Sequence, residues 1–242
     1  MAAGLLFCCA LPIVRAAVQE YSESGPQASS SSVPAQGQAA KPAPRSAEPL
    51  VLIDPGHGGE DKGAVFTGKL LEKDVTLALA RELRKELTQR GIAAKMLRDA
   101  DVNVGLDRRA EIANEPHTAL YIALHAGRPG RGVRVYAPML TSPQPPKGRF
   151  LVWDSAQAQS LERSRKLAQA VAKELKRKEV QVTVLGISLR PLNNVVPPAI
   201  AVEIAPDPNN VRSLESERMQ NTVASAIAAA IAQTRGVAGG HP

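Results

Sequence analysis

The stretch that decides the fold is Val51-Leu52-Ile53-Asp54-Pro55-Gly56-His57-Gly58-Gly59. Its apolar residues run up to Asp54 and stop at Pro55, which is typical of a buried strand that ends in a loop. The three glycines around His57 allow the backbone to turn sharply and leave space beside the imidazole ring. The stretch therefore predicts a strand that delivers a histidine to one edge of a sheet.

Two further polar side chains are predicted at the ends of other elements. Glu72 lies at the start of a helix, in Leu71-Glu72-Lys73-Asp74, and His125 follows a strand, in Ala123-Leu124-His125-Ala126-Gly127. Two imidazoles and one carboxylate can hold a zinc ion (Zn2+) and leave one coordination position open. This pattern indicates a protein that is organised around a metal ion.

The cysteine and histidine content limits the possible ligands. The chain has two cysteines, Cys8 and Cys9, and both fall in an apolar N-terminal run. If that run is removed, any metal must be bound by His, Asp or Glu. Of the four histidines, His117 in a loop and His241 in a glycine-rich tail are predicted at the surface, which favours the other two as ligands.

Length and charge limit the class of protein. The 242 residues leave room for one domain with tails. A net charge of +7 favours an anionic partner, and nucleic acid, an anionic membrane surface and an anionic cell wall all qualify. Aromatic residues make up 3% of the chain, which argues against a base-stacking platform for single-stranded nucleic acid. We therefore predict no nucleic-acid partner.

The N-terminal region is predicted to lie outside the folded domain. Residues 1–18 contain an apolar run that is too short to span a bilayer comfortably and fits a secretory signal or an N-terminal anchor. A secretory signal usually has a Lys or Arg soon after Met1, and none is present here. Three possibilities stay open: the segment is cleaved, it stays as an anchor, or the true start of the protein lies upstream of Met1. Residues 19–48 are rich in Ser, Pro, Ala and Gln and are predicted to be a disordered linker. The folded domain is then predicted at residues 49–236, with a flexible tail at residues 237–242.

The folded region alternates between strand and helix patterns. Strands are predicted at residues 50–53, 92–97, 119–124, 133–137, 180–184 and 199–204. Helices are predicted at residues 72–90, 106–114, 161–178 and 214–231. These patterns predict an α/β fold: a single domain with a mostly parallel twisted sheet of about six strands and helices on both faces.

Glu203 interrupts the otherwise apolar strand at residues 199–204. A carboxylate at the carboxyl end of a central strand lies where open α/β sheets place their chemistry, and beside water activated by zinc it would serve as a general base. The alternative is an edge-strand glutamate that faces solvent or pairs with a nearby arginine such as Arg190. Asp54 likewise has two open roles, since it could orient His57 or cap the turn.

Residues 50–235 resemble the zinc-dependent N-acetylmuramoyl-L-alanine amidases of the amidase-3 type. The matching motifs are Ile53-Asp54-Pro55-Gly56-His57-Gly58-Gly59, Glu72-Lys73-Asp74-Val75, Leu97-Arg98-Asp99, Asp107-Arg108-Arg109-Ala110-Glu111-Ile112-Ala113-Asn114, Ile122-Ala123-Leu124-His125-Ala126, Gly132-Val133-Arg134-Val135-Tyr136 and Pro198-Ala199-Ile200-Ala201-Val202-Glu203-Ile204. The resemblance implies that His57, Glu72 and His125 hold zinc. It also implies that Glu203 is the catalytic carboxylate, and that an exported chain cleaves peptidoglycan in the periplasm or the cell wall.

The resemblance says less about which residues contact the substrate. Arg190 falls where the family often has a basic residue ahead of the final strand, which implies that it binds substrate. Gly127 stands where the family usually has Asn, and Ala205-Pro206-Asp207-Pro208 replaces the glycine and aromatic residue that usually follow the catalytic glutamate. These differences bear on substrate preference rather than on the chemistry.

A proline-rich segment at residues 138–155 is long for a connection in a compact domain. Related amidases sometimes carry inserted segments that cover the active site until a partner protein displaces them. The segment is therefore either a lid under the control of a protein activator or a packed part of the fold.

We expect a monomer. The alternative functions are an exported zinc peptidase of other specificity and a non-catalytic wall-binding or regulatory module, and the second is disfavoured because all four metal and base positions are filled.

Overall fold

The computed structural model describes residues 49–127, 131–140, 153–207 and 209–238. The predicted signal or anchor, the linker and most of the proline-rich segment lie outside the described residues. The domain limits at residues 49 and 236 therefore stay predictions.

Strands and helices alternate along the described part of the chain. The strands are β1 (Leu50–Pro55), β2 (Ala94–Met96), β3 (Thr118–Ala126), β4 (Val133–Pro138), β5 (Val182–Ile187) and β6 (Ala199–Ile204). The α-helices are α1 (Glu72–Gln89), α2 (Leu106–Ala113), α3 (Leu161–Arg177) and α4 (Glu217–Ala238), and short 3-10 helices lie at Trp153–Gln159, Leu192–Asn194 and Val211–Glu215. None of the described helices is long and apolar enough to cross a membrane.

All six strands form one sheet in the order β2-β1-β3-β6-β4-β5. Neighbouring strands are parallel except β4 and β6, which run antiparallel. The prediction of a mostly parallel sheet of six strands is confirmed. The last of the described strands, β6, lies inside the sheet, and the short strand β2 lies at one edge.

Helices cover both faces of the sheet, as predicted. On one face, α1, α3 and α4 pack against the side chains of Val51 and Ile53 and of the equivalent residues on the other strands. On the opposite face, α2 and the 3-10 helix Leu192–Asn194 pack against the alternate residues, including Leu52 and Tyr121. Since successive residues of a strand point to opposite faces, Asp54 lies on the α2 face.

Asp54 belongs to a buried polar cluster below the loop that follows β1. The Tyr121 hydroxyl and the Arg109 guanidinium both donate to its carboxylate. Arg109 also donates to the carbonyl oxygens of Pro55, at 3.0 Å, and of His57, at 2.8 Å. Burial raises the pKa of Asp54, and the charge of Arg109 opposes this shift. Asp54 therefore acts on the turn through Arg109, and neither of its two predicted roles is observed.

Replacing Arg109 with methionine is expected to lower the free energy of unfolding by about 3–5 kcal/mol, because the Asp54 carboxylate would stay buried without its ion-pair partner. Urea denaturation measures this loss. The control is Arg108→Met, since the Arg108 side chain is 63% exposed and pairs with Glu111 at the surface. Its effect should stay within about 0.5 kcal/mol. Equal losses in the two variants would show that Asp54 does not depend on Arg109.

Candidate metal centre and active site

Three polar side chains converge at the carboxyl ends of β1 and β3. His57 lies in the loop after β1, Glu72 is the first residue of α1, and His125 is the penultimate residue of β3. The Oε1 atom of Glu72 lies 3.1 Å from Nε2 of His57 and 3.0 Å from Nδ1 of His125. One possible ligand atom from each residue lies within 4.8 Å of the others, so a single metal ion can contact all three.

The loops around these side chains depend on glycine. A Cβ atom at Gly56 would lie 2.6 Å from Cε1 of His125, and one at Gly63 would lie 2.6 Å from Oε2 of Glu72. His57 has a φ of 61°, and this left-handed conformation costs a non-glycine residue roughly 1–3 kcal/mol. Such strain persists only where the surrounding contacts hold the residue in place. The local backbone is therefore shaped around the three polar groups.

Glu72 is held as an ionised carboxylate. Its Oε2 accepts a hydrogen bond from the backbone N–H of Ala64 at 2.8 Å, and its Oε1 accepts one from Ala126 at 3.2 Å. The first turn of a helix also favours a negative charge. Burial would raise the pKa of Glu72, but the contacts with His125, His57 and Ala64 outweigh burial and hold this pKa well below its usual range.

The carboxylate that orients His57 is Asp61. Both carboxylate oxygens of Asp61 lie 2.9 Å from Nδ1 of His57. The backbone N–H of Gly63 donates to Oδ1 of Asp61 at 3.1 Å and holds that carboxylate in place. Because Nδ1 faces Asp61, Nε2 of His57 is left to face Glu72 and to bind a metal.

Arg98 ties the loop after β1 to the start of α1. Its side chain is buried, with Nε donating to the carbonyl oxygen of Pro55 at 3.0 Å and Nη2 to that of Gly56 at 2.9 Å. The same Nη2 donates to the carbonyl oxygen of Lys73 at 2.8 Å. The loop that carries His57 and the helix that carries Glu72 are therefore held together by side chains as well as by any metal.

Glu203 lies at the same edge of the sheet, level with His125 on the neighbouring strand. Its carboxylate accepts hydrogen bonds from Arg134, with Nε–Oε2 at 3.1 Å and Nη2–Oε1 at 2.7 Å, and from the Tyr136 hydroxyl at 2.7 Å. The interpretation of Glu203 as a solvent-facing residue on an edge strand is wrong, because β6 lies between β3 and β4. Its arginine partner is Arg134 and not Arg190.

Arg190 lies in the loop between β5 and β6, beside α2. Its guanidinium pairs with Asp107 at the start of α2, and its Nε contacts Oδ1 of Asn194 at 3.4 Å. The side chain is 50% exposed. These contacts do not reach the three possible metal ligands, and the role of Arg190 in substrate binding stays a prediction.

Three residues of the site were not assigned a role from the sequence: Asp61, Arg134 and Tyr136. Arg134 and Tyr136 are two residues apart in a strand pattern, a spacing that places both on the same face. Their spacing could therefore have predicted that both side chains contact the same site. Asp61 follows His57 across an irregular turn, where the sequence carries no periodic signal.

The site thus holds two histidines and the carboxylate of Glu72, with the ionised carboxylate of Glu203 beside them. This arrangement, at the carboxyl edge of an α/β sheet, is typical of a metal-dependent hydrolase. Comparison with known proteins narrows this class to one family. The family profile described as N-acetylmuramoyl-L-alanine amidase matches residues 51–233, and the chain belongs to this family.

Individual relatives agree with the family match. The chain is 29% identical over 202 residues to the germination-specific N-acetylmuramoyl-L-alanine amidase of Bacillus subtilis, which covers 74% of this chain and 76% of that protein. It is 37% identical over 92 residues to the N-acetylmuramoyl-L-alanine amidase AmiC of Neisseria meningitidis, which covers 36% of this chain but only 22% of that protein. The solved structure of the N-acetylmuramoyl-L-alanine amidase AmiC2 of Nostoc punctiforme has a TM-score of 0.59 and 31% identity, over 77% of this chain and 97% of that chain.

Proposed function

We propose that this chain is a zinc-dependent N-acetylmuramoyl-L-alanine amidase. It would hydrolyse the amide bond between N-acetylmuramic acid and L-alanine in peptidoglycan, during cell-wall remodelling or cell separation. The observation that carries the proposal is the convergence of His57, Glu72 and His125 beside Glu203, in a chain of this family.

The donor set suits zinc. Two imidazole nitrogens and one carboxylate oxygen are ligands that catalytic zinc sites use when they keep one position open. Nε2 of His57 and Nδ1 of His125 both face Oε1 of Glu72. The glycines at positions 56 and 63 leave the side chains of His125 and Glu72 the room that a Cβ atom would fill. When bound, zinc would lower the pKa of water and polarise the substrate carbonyl.

Glu203 supplies the proton transfer in this proposal. Burial would raise its pKa, but the hydrogen bonds from Arg134 and Tyr136 outweigh burial and lower it, so the carboxylate is ionised at neutral pH. An ionised carboxylate can accept a proton from the attacking water and then pass it to the leaving nitrogen of L-alanine. Asp61 meanwhile keeps His57 in the orientation that presents Nε2.

The location and the partners follow from the proposed substrate. Cell-wall amidases act outside the cytoplasm, and we expect this chain to be exported and to act in the periplasm or the cell wall. Its net charge of +7 suits an anionic wall polymer. A protein activator and a monomeric state stay predictions, as does the substrate contact of Arg190.

Two assays on the purified chain separate the proposed function from its alternatives. Elemental analysis measures zinc per chain, and liquid chromatography of digested peptidoglycan detects free stem peptides. One zinc per chain with release of peptides that begin at L-alanine is the expected result. A zinc-loaded chain that cuts only within peptides would be a peptidase, and a chain that binds the wall without cutting it would be a binding module.

Asp61→Ala is expected to weaken zinc binding by about 10- to 100-fold, because residues that orient a ligating histidine have effects of this size. Competition with a chromophoric chelator measures the affinity. Glu60→Ala is the control, since Glu60 is the exposed neighbouring carboxylate. If both variants bind zinc as tightly as the unmodified chain, Asp61 does not orient His57 for the metal.

A further inference from the structure

The carboxylate of Glu203 is held by two side chains from one face of β4. Arg134 lies directly opposite Glu203 in the antiparallel pairing of β4 with β6, and Tyr136 follows two residues later. Arg134 contacts both carboxylate oxygens, and Tyr136 donates to Oε2. A two-point contact between a guanidinium and a carboxylate fixes the orientation of the carboxylate plane as well as its position.

Gly127 provides the space that the carboxylate occupies. A Cβ atom at position 127 would lie 1.9 Å from Oε1 of Glu203 and 3.0 Å from its Cδ, so the carboxylate would have to move from its observed position to make room for it. The backbone of Gly127 is not among the positive-φ glycines, so its conformation is open to other residues. The nearest obstacle to a side chain at position 127 is therefore the carboxylate of Glu203 itself.

We propose that Arg134, Tyr136 and Gly127 form a cradle that positions Glu203 as the general base, with Arg134 as the principal positioning residue. This inference rests on the proposed amidase function. An ionised carboxylate has about four acceptor sites, and the cradle occupies three of them. The fourth belongs to Oε1, which lies against Gly127. The three hydrogen bonds thus leave Oε1 with the remaining acceptor site of Glu203.

The charges around Glu203 support a positioning role. Burial alone would raise the pKa of Glu203, and Arg134, Tyr136 and the nearby His125 oppose that shift. The pairing of β4 with β6 is made by backbone groups, and it does not require either side chain. Removal of the Arg134 guanidinium should therefore change the geometry of Glu203 more than it changes the fold.

Arg134→Ala is the first test, with a soluble muramoyl peptide as substrate. We expect kcat to fall by about a hundredfold while KM changes less, because misplacement of a catalytic group by about 1 Å has an effect of this size. Zinc content should stay close to that of the unmodified chain, and circular dichroism should show that the variant is folded at the assay temperature. Added methylguanidinium should restore part of kcat in Arg134→Ala but none in Glu203→Gln, and Arg134→Lys should retain intermediate activity. Arg131→Ala is the control for loss of a nearby exposed positive charge, and its kcat should be unchanged.

Gly127→Ala is the second test and leaves all three polar groups in place. The added methyl group should displace the carboxylate from Arg134 and lower kcat by about a hundredfold, with zinc retained. If Arg134→Ala and Gly127→Ala both have the same kcat as Arg131→Ala, and the unmodified enzyme is active, then the proposed cradle is wrong and the amidase function stands. If the unmodified zinc-loaded chain does not cleave the substrate, the amidase function fails and the cradle with it.

Discussion

Replacing His57 or His125 with alanine is expected to abolish both stoichiometric zinc binding and the hydrolysis of peptidoglycan. Each variant keeps only two of the three protein ligands that a catalytic zinc site uses. The cysteines lie at positions 8 and 9, outside the described residues, so no thiolate of the described domain can replace the lost imidazole. Elemental analysis after gel filtration measures zinc per chain, and release of stem peptides measures activity.

The matched control for these variants is His117→Ala. His117 is an exposed histidine in the connection before β3, and it lies outside the group that can hold a metal. Zinc content and activity should both be unchanged in this variant. If His57→Ala and His125→Ala each retain one zinc per chain, the proposed metal centre is wrong.

Glu203→Gln is expected to lower hydrolysis by about a hundredfold or more without loss of zinc. Glutamine has nearly the same shape as glutamate, but its neutral amide cannot take a proton from water. Zinc should be retained because the proposed ligand atoms belong to His57, Glu72 and His125. Parallel measurements of kcat and of zinc per chain separate these two effects.

Glu174→Gln is a suitable control for that variant. Glu174 is a mostly buried carboxylate that pairs with Arg177 on α3, and it also accepts a hydrogen bond from Gln233 on α4. Its substitution removes a comparable ion pair whose partners are neither possible metal ligands nor contacts of Glu203, and hydrolysis should be unchanged. If Glu203→Gln hydrolyses peptidoglycan as fast as Glu174→Gln, then Glu203 has only a structural role.

The sheet and its helices could be predicted because their patterns are local. The apolar residues of α1 recur every fourth position, and those of β6 form an apolar run broken only by Glu203. The three possible metal ligands were also accessible from the sequence, because each lies at the end of a predicted element. Carboxyl ends of parallel strands meet at one edge of a sheet, so prediction of the elements also predicted the meeting of His57 and His125.

The partners of the acidic residues could not be predicted, since they depend on tertiary structure. Asp54 meets Arg109 from α2, which is 55 positions further along the chain. The contact of Glu203 with Arg134 depends on the reversed direction of β4, and no local pattern encodes that direction. The boundaries of α4 also differ, because the 3-10 helix Val211–Glu215 takes up the start of the predicted helix and α4 begins at Glu217.

The position of β6 between β3 and β4 sets an order in which the protein matures during synthesis. The two flanking strands, β3 and β4, are synthesised before β6, so a gap between them would stay open until β6 is made. A nascent chain that ends before Ala199 would present unpaired backbone groups along both sides of that gap. All three proposed zinc ligands are already present by His125, whereas Glu203 arrives only with the final strand. The growing chain therefore contains its proposed metal ligands well before it contains its proposed general base, and we expect hydrolysis to begin only after β6 has been synthesised.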